Sequence, residues 1–254
     1  MSRPAEMKDL WLLPGEGLTL APGEIHVWRI ALVQPQSTLQ HCRTLLCPEE
    51  VARADRFYFP RDRDRFVISH GALRQILALY FGARPEQLQF TQQEKGKPEM
   101  AAGTNSINLT FNLSHSGELA LLAVALHLQL GVDVECVRSD FGGQEIADRF
   151  FSRQEVEKLC SLPVGLRNQA FFHCWTRKEA YIKAIGEGLS KPLEDFDVAF
   201  APGEDPALLA VRGDPAEVAR WSFYDLQPGE GYAAALAVEG NSHQIKCWTW
   251  QELL

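Results

Sequence analysis

Phe171-Phe172-His173-Cys174-Trp175-Thr176-Arg177-Lys178-Glu179-Ala180-Tyr181-Ile182-Lys183-Ala184-Ile185-Gly186-Glu187-Gly188-Leu189 reads as one helix closed by glycines. Gly186 and Gly188 are its stop signal. At about 100° per residue, Cys174, Tyr181, Ile185, Phe171, Ile182 and Trp175 form one apolar arc. Glu179 and Lys183 stand along the edge of that arc and Lys178 falls inside it. A surface helix places its charges opposite the core, so these three are out of place. Two readings stay open. Either Lys178 snorkels past the core and Glu179 with Lys183 is an ordinary i,i+4 pair, or the charges face a ligand.

Upstream, Leu130-Gly131-Val132-Asp133-Val134-Glu135-Cys136-Val137 alternates apolar with acidic, the pattern of a strand. With period two, Asp133 and Glu135 leave the same face roughly 6.5–7 Å apart. Adjacent carboxylates raise each other's pKa unless a cation neutralises them. A hard divalent ion does this, and Mg²⁺ takes one or two carboxylates and leaves its other positions to water and phosphate. If Glu179 packs on this strand, three acidic groups meet with Lys178 and Lys183 beside them, a site for a metal-bound phosphate or pyrophosphate. The plainer alternative is a strand whose polar face is simply acidic.

The chain has 254 residues, 46% of them hydrophobic and 23% charged, which suits a folded globular protein of one large or two modest domains. No apolar run reaches the length of a membrane span, and Glu6 and Asp9 ahead of a short apolar run do not make a signal peptide, so a cytoplasmic protein is expected. Six cysteines without a CxxC pair argue against a zinc site or a disulfide framework. A net charge of −8 gives no general attraction to nucleic acid, so a polyanionic ligand needs a local basic cluster.

In chain order, residues 1–24 read as a surface wrap, 25–33 as a strand, 48–59 as a helix opened by Pro48, and 66–81 as a second helix ended by Gly82. From the first of these helices to the start of the second, Arg53, Arg56, Arg61, Arg63 and Arg65 are interleaved with Asp55, Asp62 and Asp64. Most of these read as a self-paired charged face. The loop 93–98 carries Gly96-Lys97-Pro98, a turn that presents a lysine but lacks the spacing of a P-loop. Phe111-Asn112-Leu113-Ser114-His115-Ser116-Gly117 runs from a strand into a polar turn, and 119–126 is apolar throughout, as in a buried strand.

The two halves of the chain resemble each other. Phe66 to Gly82 and Phe172 to Gly188 span the same length, as do the segments that follow to Phe90 and Phe196. Ile25-His26-Val27-Trp28 parallels Val132-Asp133-Val134-Glu135, and Pro48-Glu49-Glu50-Val51 parallels Arg153-Gln154-Glu155-Val156. The expectation is an α+β fold of two similar halves, 1–129 and 130–254, related by pseudo-two-fold symmetry. Each half is a long helix on a small antiparallel sheet, with the ligand in the cleft between them. On this spacing the first-half counterparts of Glu179 and Lys183 are Leu73 and Leu77.

Gly131-Val132-Asp133-Val134-Glu135, Phe150-Phe151-Ser152, Trp175-Thr176-Arg177-Lys178-Glu179-Ala180 and Lys183 together resemble the signature of the 4′-phosphopantetheinyl transferases, in particular the double-length surfactin-type branch. The loop from Gln93 to Pro98 and the turn from Asn112 to Gly117 also match. The resemblance implies an enzyme that moves phosphopantetheine from coenzyme A to a serine of an apo acyl or peptidyl carrier protein with Mg²⁺. The product released is adenosine 3′,5′-bisphosphate, and the enzyme acts as a monomer.

Position by position, the resemblance implies that Asp133, Glu135 and Glu179 are metal carboxylates, with Glu179 also accepting the serine proton. It implies Lys178 and Lys183 on the pyrophosphate, and Lys97, Ser114 and His115 on coenzyme A. Glu50 stands where the family often has a basic residue, leaving Arg53 as the candidate for the 3′-phosphate. Carrier docking is implied near Gly186, Leu189, Lys191 and Leu193, against the alternative that Leu189 and Leu193 pin the loop to the core. Two other functions fit the residues: a metal-dependent phosphohydrolase using the same carboxylates, or a non-catalytic module that binds coenzyme A or the carrier.

Overall fold

A computed structural model describes residues 11–15, 17–92, 97–138 and 143–252, except for the Leu189 side chain. The chain runs β1 (Glu24–Ala31), α1 (Gln36–Leu45), α2 (Pro48–Ala54), α3 (Pro60–Phe81), β2 (Phe90–Gln92), β3 (Pro98–Met100), β4 (Leu109–Ser116) and β5 (Leu119–Leu126). It continues with β6 (Leu130–Cys136), α4 (Gly143–Phe150), α5 (Arg153–Ser161), α6 (Val164–Ile185), β7 (Phe196–Val198), β8 (Leu208–Val211), α7 (Glu217–Arg220), β9 (Trp221–Leu226), β10 (Tyr232–Glu239) and β11 (Gln244–Thr249).

The same order of elements occurs twice. A strand, two short helices and a helix of 22 residues lead to a small hairpin and then to two antiparallel strands. The strands order as β1-β5-β4 in one sheet and β6-β10-β9 in the other. The mixed α+β class is as expected. One strand departs from the antiparallel scheme: β11 lies parallel to β1, pairing Glu24 with Gln244 through Arg29 with Thr249. This covers an edge of the first sheet that would otherwise present unpaired backbone groups.

Alternation in β5 and β10 explains why both read as uninterrupted apolar runs. Ala120, Leu122 and Val124 face the core under α3, while Leu121, Ala123 and Ala125 face a second core shared with β6 and β10. In β10, Ala233, Ala235 and Ala237 meet α6, and Ala234, Leu236 and Val238 join the shared core. Both strands are therefore buried on two faces, with a long helix outside each sheet.

Both long helices begin earlier than their apolar stripes suggest, at Pro60 and Val164. The first turns lie beyond the buried stripe, and proline at or just before the first turn supplies the start. Each ends on a left-handed glycine, Gly82 at φ 57° and Gly186 at φ 71°. Matching these two caps shifts the register of the halves by two residues from the sequence expectation, which set Gly82 against Gly188. The first-half counterparts of Glu179 and Lys183 become Gln75 and Leu79. The segment 48–59 is helical only to Ala54, and the polar stretch before it holds α1. No disulfide joins any of the six cysteines. No helix among the described residues is long and apolar enough to cross a membrane.

Candidate active site

The site lies where the edge strands β4 and β6 meet beneath α6. Gly131 sets the closeness of that packing. A Cβ there would stand 2.2 Å from the Ala180 carbonyl oxygen and 2.4 Å from the Ala184 nitrogen. The helix backbone can therefore rest on the strand only because position 131 has no side chain. Glu179 and Lys183, each one residue before these contacting alanines, reach the strand face that carries Asp133 and Glu135.

Asp133 is buried. Its Oδ1 accepts Lys183 Nζ at 2.6 Å and Ser114 Oγ at 2.8 Å, and Lys183 Nζ also donates to Ser114 Oγ at 2.8 Å. Its Oδ2 is buried without a partner, an unusual state for a carboxylate oxygen. Glu135 Oε2 accepts Ser116 Oγ at 2.6 Å. Burial raises the Glu135 pKa and the Asp133 charge adds to this, against the Ser116 hydrogen bond. Burial likewise raises Glu179, joined by Asp133 and Glu135 and opposed by Lys183. Asp133 thus acts on Glu135, and both act on Glu179, which puts the three carboxylates within electrostatic reach of one another.

Among the described residues no three of His, Cys, Asp and Glu stand close enough together to form a ready metal cage. The ammonium of Lys183 lies against Asp133, where a cation of another kind would otherwise balance the charge. The donor set itself, three carboxylates with one orphaned buried oxygen, fits a hard divalent ion.

His115 opens a cationic neighbourhood on the outer side of the seam. Its pKa is lowered by desolvation from the surrounding walls, then by the charges of Lys183, His70, Arg53 and Arg65. Arg53 lies over the Phe66 ring at 5.1 Å, and Phe66 stacks on His70 at 4.0 Å between ring centroids. Arg65 meets Glu118 at 3.5 Å. Several cations converging near one exposed imidazole form the local basic cluster that an acidic chain needs to hold a polyanion.

Three expected assignments change. Lys178 neither snorkels nor faces the cleft: it is fully buried, ion-paired to Glu155 at 2.7 Å and donating to the carbonyls of Leu193 and Phe196 at 2.8 and 2.6 Å. Every ammonium proton is used within the core, so none is left for pyrophosphate. Lys97 donates to the carbonyls of Lys183 at 2.7 Å and Leu130 at 3.0 Å, and burial lowers its pKa to about 8. It fastens the first half to the end of α6 through these two carbonyls. Leu193 is buried in the second core, so it anchors its loop and offers no docking surface. Lys191 is half-buried and Gly186 ends the helix. Residues 93–96 of the lysine loop and the Leu189 side chain lie outside the described residues.

The sequence reading missed Ser116, His70 and the Glu155 partner of Lys178. Ser116 had a signal, because Ser114 and Ser116 repeat the two-residue spacing of Asp133 and Glu135. Glu50 is also explained. Although burial raises its pKa, hydrogen bonds from His70 and Arg74 take it down to about 2. It is the acid of an internal ion pair and is not available to a ligand.

Residues 129–237 match the family model described as the 4′-phosphopantetheinyl transferase superfamily, and 34–127 match the N-terminal model of a 4′-phosphopantetheinyl transferase. The chain is 43% identical to 4′-phosphopantetheinyl transferase HetI of Nostoc sp., covering 95% of this chain and 99% of HetI. It is 35% identical to a putative 4′-phosphopantetheinyl transferase, slr0495, of Synechocystis sp., over 70% of this chain and 71% of the relative. It is 28% identical to 4′-phosphopantetheinyl transferase Sfp of Bacillus subtilis, over 90% of this chain and 99% of Sfp.

Proposed function

The chain belongs to the 4′-phosphopantetheinyl transferases of the Sfp-like type, and from that premise we propose that it moves 4′-phosphopantetheine from coenzyme A to a serine of an apo carrier protein. The observation that carries this reading is the linked group Lys183, Ser114 and Asp133, flanked by Glu135 and Glu179 and opening toward the cations around His115. Anion-holding and proton-accepting groups thus line one seam.

The serine oxygen attacks the phosphorus that bears pantetheine, the bond to the bridging pyrophosphate oxygen breaks, and that oxygen leaves with its electron pair on adenosine 3′,5′-bisphosphate. The serine proton passes to Glu179. Its raised pKa brings this carboxylate nearer neutrality and makes it a stronger base than an ordinary one. Lys183 turns from Asp133 toward the pyrophosphate as the substrate arrives. His115, with Arg53 and Arg65 near it, holds the nucleotide phosphates. Asp133, Glu135 and Glu179 would hold Mg²⁺, whose chemistry when bound is to neutralise charge on the phosphate oxygens. The carrier enters beside Gly186 and Lys191. Both halves lie in one chain, so the enzyme acts as a monomer, with the nucleotide on 1–129 and the carboxylates on 130–254.

The test is to incubate the protein with coenzyme A, Mg²⁺ and a panel of apo carrier proteins, reading intact carrier mass and released nucleotide. The expected result is a mass gain of one phosphopantetheine with equimolar adenosine 3′,5′-bisphosphate. Cleavage of coenzyme A at a rate indifferent to carrier would establish a phosphohydrolase instead. Binding of coenzyme A or carrier without turnover would establish a binding module.

A further inference from the structure

β4 and β6 run side by side, yet they belong to different sheets and share no backbone ladder. Side chains of β4 take the place of that ladder. Asn112 Oδ1 accepts the Val132 N–H at 2.9 Å, and Ser116 Oγ accepts the Cys136 N–H at 3.1 Å. Ser114, between them, donates to Asp133. Three polar side chains at two-residue spacing thus close the seam on which both carboxylates stand.

Ser116 differs from Asn112 in doing two jobs. A hydroxyl has one proton and two acceptor lone pairs. With the Cys136 N–H on one lone pair, the proton is aimed at Glu135 Oε2, which lies 2.6 Å away. The backbone of β6 therefore sets the serine rotor, and the serine sets the carboxylate. Asn112 binds backbone only and touches neither acid.

We propose that Ser116 is a positioning residue that holds Glu135 in the orientation needed to bind a divalent cation, acting through its paired hydrogen bonds to Glu135 and the Cys136 N–H. This rests on the carboxylate assignment made under the proposed function. A free glutamate must give up rotamer entropy when it binds a cation, and the serine removes that cost in advance.

The experiment titrates Mn²⁺ into the full chain without coenzyme A or carrier, and reads free Mn²⁺ by electron paramagnetic resonance. Ser116→Ala should weaken Mn²⁺ binding by about 10–100-fold, the usual effect of removing a group that orients a ligand. Ser116→Thr, which keeps the hydroxyl, should restore most of it. Asn112→Ala opens the same seam without touching a carboxylate, so it should lower Tm and leave Mn²⁺ affinity unchanged. If wild type binds Mn²⁺ and Ser116→Ala binds it equally well, or Ser116→Thr is no better than Ser116→Ala, the role is overturned and the metal assignment stands. If wild type itself binds no Mn²⁺, the metal assignment falls and takes this role with it.

Discussion

In the first half, the glutamate of the α2 capping box, Glu50, reaches Arg74 inside α3, and Arg74 also donates to the carbonyls of Pro85 and Leu88 beyond that helix. In the second half, the glutamate of the α5 capping box, Glu155, reaches Lys178 inside α6, and Lys178 donates to the carbonyls of Leu193 and Phe196. The two constructions match in every part. Each caps a short helix, satisfies a buried cation and ties down the loop after the long helix. A cation that both halves keep, including the half without the acidic site, belongs to the scaffold.

The halves part at the next residue. Gln75 follows Arg74 and accepts Trp250 Nε1 at 3.0 Å in the core, whereas Glu179 follows Lys178 and faces Asp133 and Glu135. A similar contrast holds on the strands. His26 of β1 meets Tyr80 of α3 at 2.8 Å, and its counterpart Asp133 of β6 meets Lys183 of α6 at 2.6 Å. One half uses neutral partners at these positions and the other uses charged ones. On the proposed function, chemistry is carried by the substituted positions and folding by the retained ones.

Replacing Glu179 with the residue type of the first half breaks the contrast most directly. Glu179→Gln should lower kcat by about 10²–10⁴-fold, the usual worth of a positioned acid or base, while Tm holds or rises because carboxylate repulsion is relieved. Wild-type turnover in this variant would show that the difference between the halves is not catalytic. Asp133→Ala should behave in the same direction in a transfer assay.

The matched ion pairs come next. Glu155→Ala leaves the Lys178 ammonium buried and uncompensated, and should cost about 3–5 kcal/mol in a denaturant titration. Lys178→Met should destabilise the fold while coenzyme A affinity in the folded protein stays near wild type. A large loss of coenzyme A affinity with Tm preserved would return Lys178 to the ligand and separate it from Arg74.

Close approach is made differently in the two halves. Gly71 of α3 would place a Cβ 2.5 Å from Cys42 Cβ and 2.9 Å from its Cα in α1, while Gly131 of β6 would come within 2.2 Å of the helix backbone beside the site itself. Gly131→Ala should therefore cost about 1–3 kcal/mol or more, and should lower transfer activity as well because it pushes Glu179 and Lys183 off the strand. Unchanged activity with only stability lost would separate the packing from the site.

The smallest effect expected is in pH dependence. Burial lowers the His26 pKa to about 4 from its ordinary 6.5, so the unfolded chain takes up a proton more readily than the native one. The stability this represents is fully present above pH 6.5 and is lost as pH falls toward 4. Between pH 6.5 and 5.5 the loss should be about 1 kcal/mol. Urea titrations of wild type and His26→Gln across that interval measure it: the variant should show a flatter dependence, and equal slopes would exclude His26 as the cause.

The sequence alone determined the long helices and the main strands with their local faces, though not α1, α4 or β11. Alternation over Val132 to Cys136 put Asp133 and Glu135 on one side of β6, glycine ended the long helices, and repeated spacing showed the duplicated order of elements. These properties depend on residues within a few positions of each other, which period and propensity report directly. Tertiary structure decided which charged group met which partner. The helical arc placed Lys178 among apolar residues but held no information that Glu155, from another helix, would be packed against it. The register of the halves was also beyond spacing alone, because Gly186 and Gly188 can each stop a helix and both are left-handed, at φ 71° and 53°, and only the end of α6 at Ile185 chose between them. Lys97 ended on the carbonyls of Leu130 and Lys183, and Ser116 on Glu135, through contacts far apart in the chain. A buried polar group takes the partner that packing brings to it, and which elements pack together is a property of the whole fold.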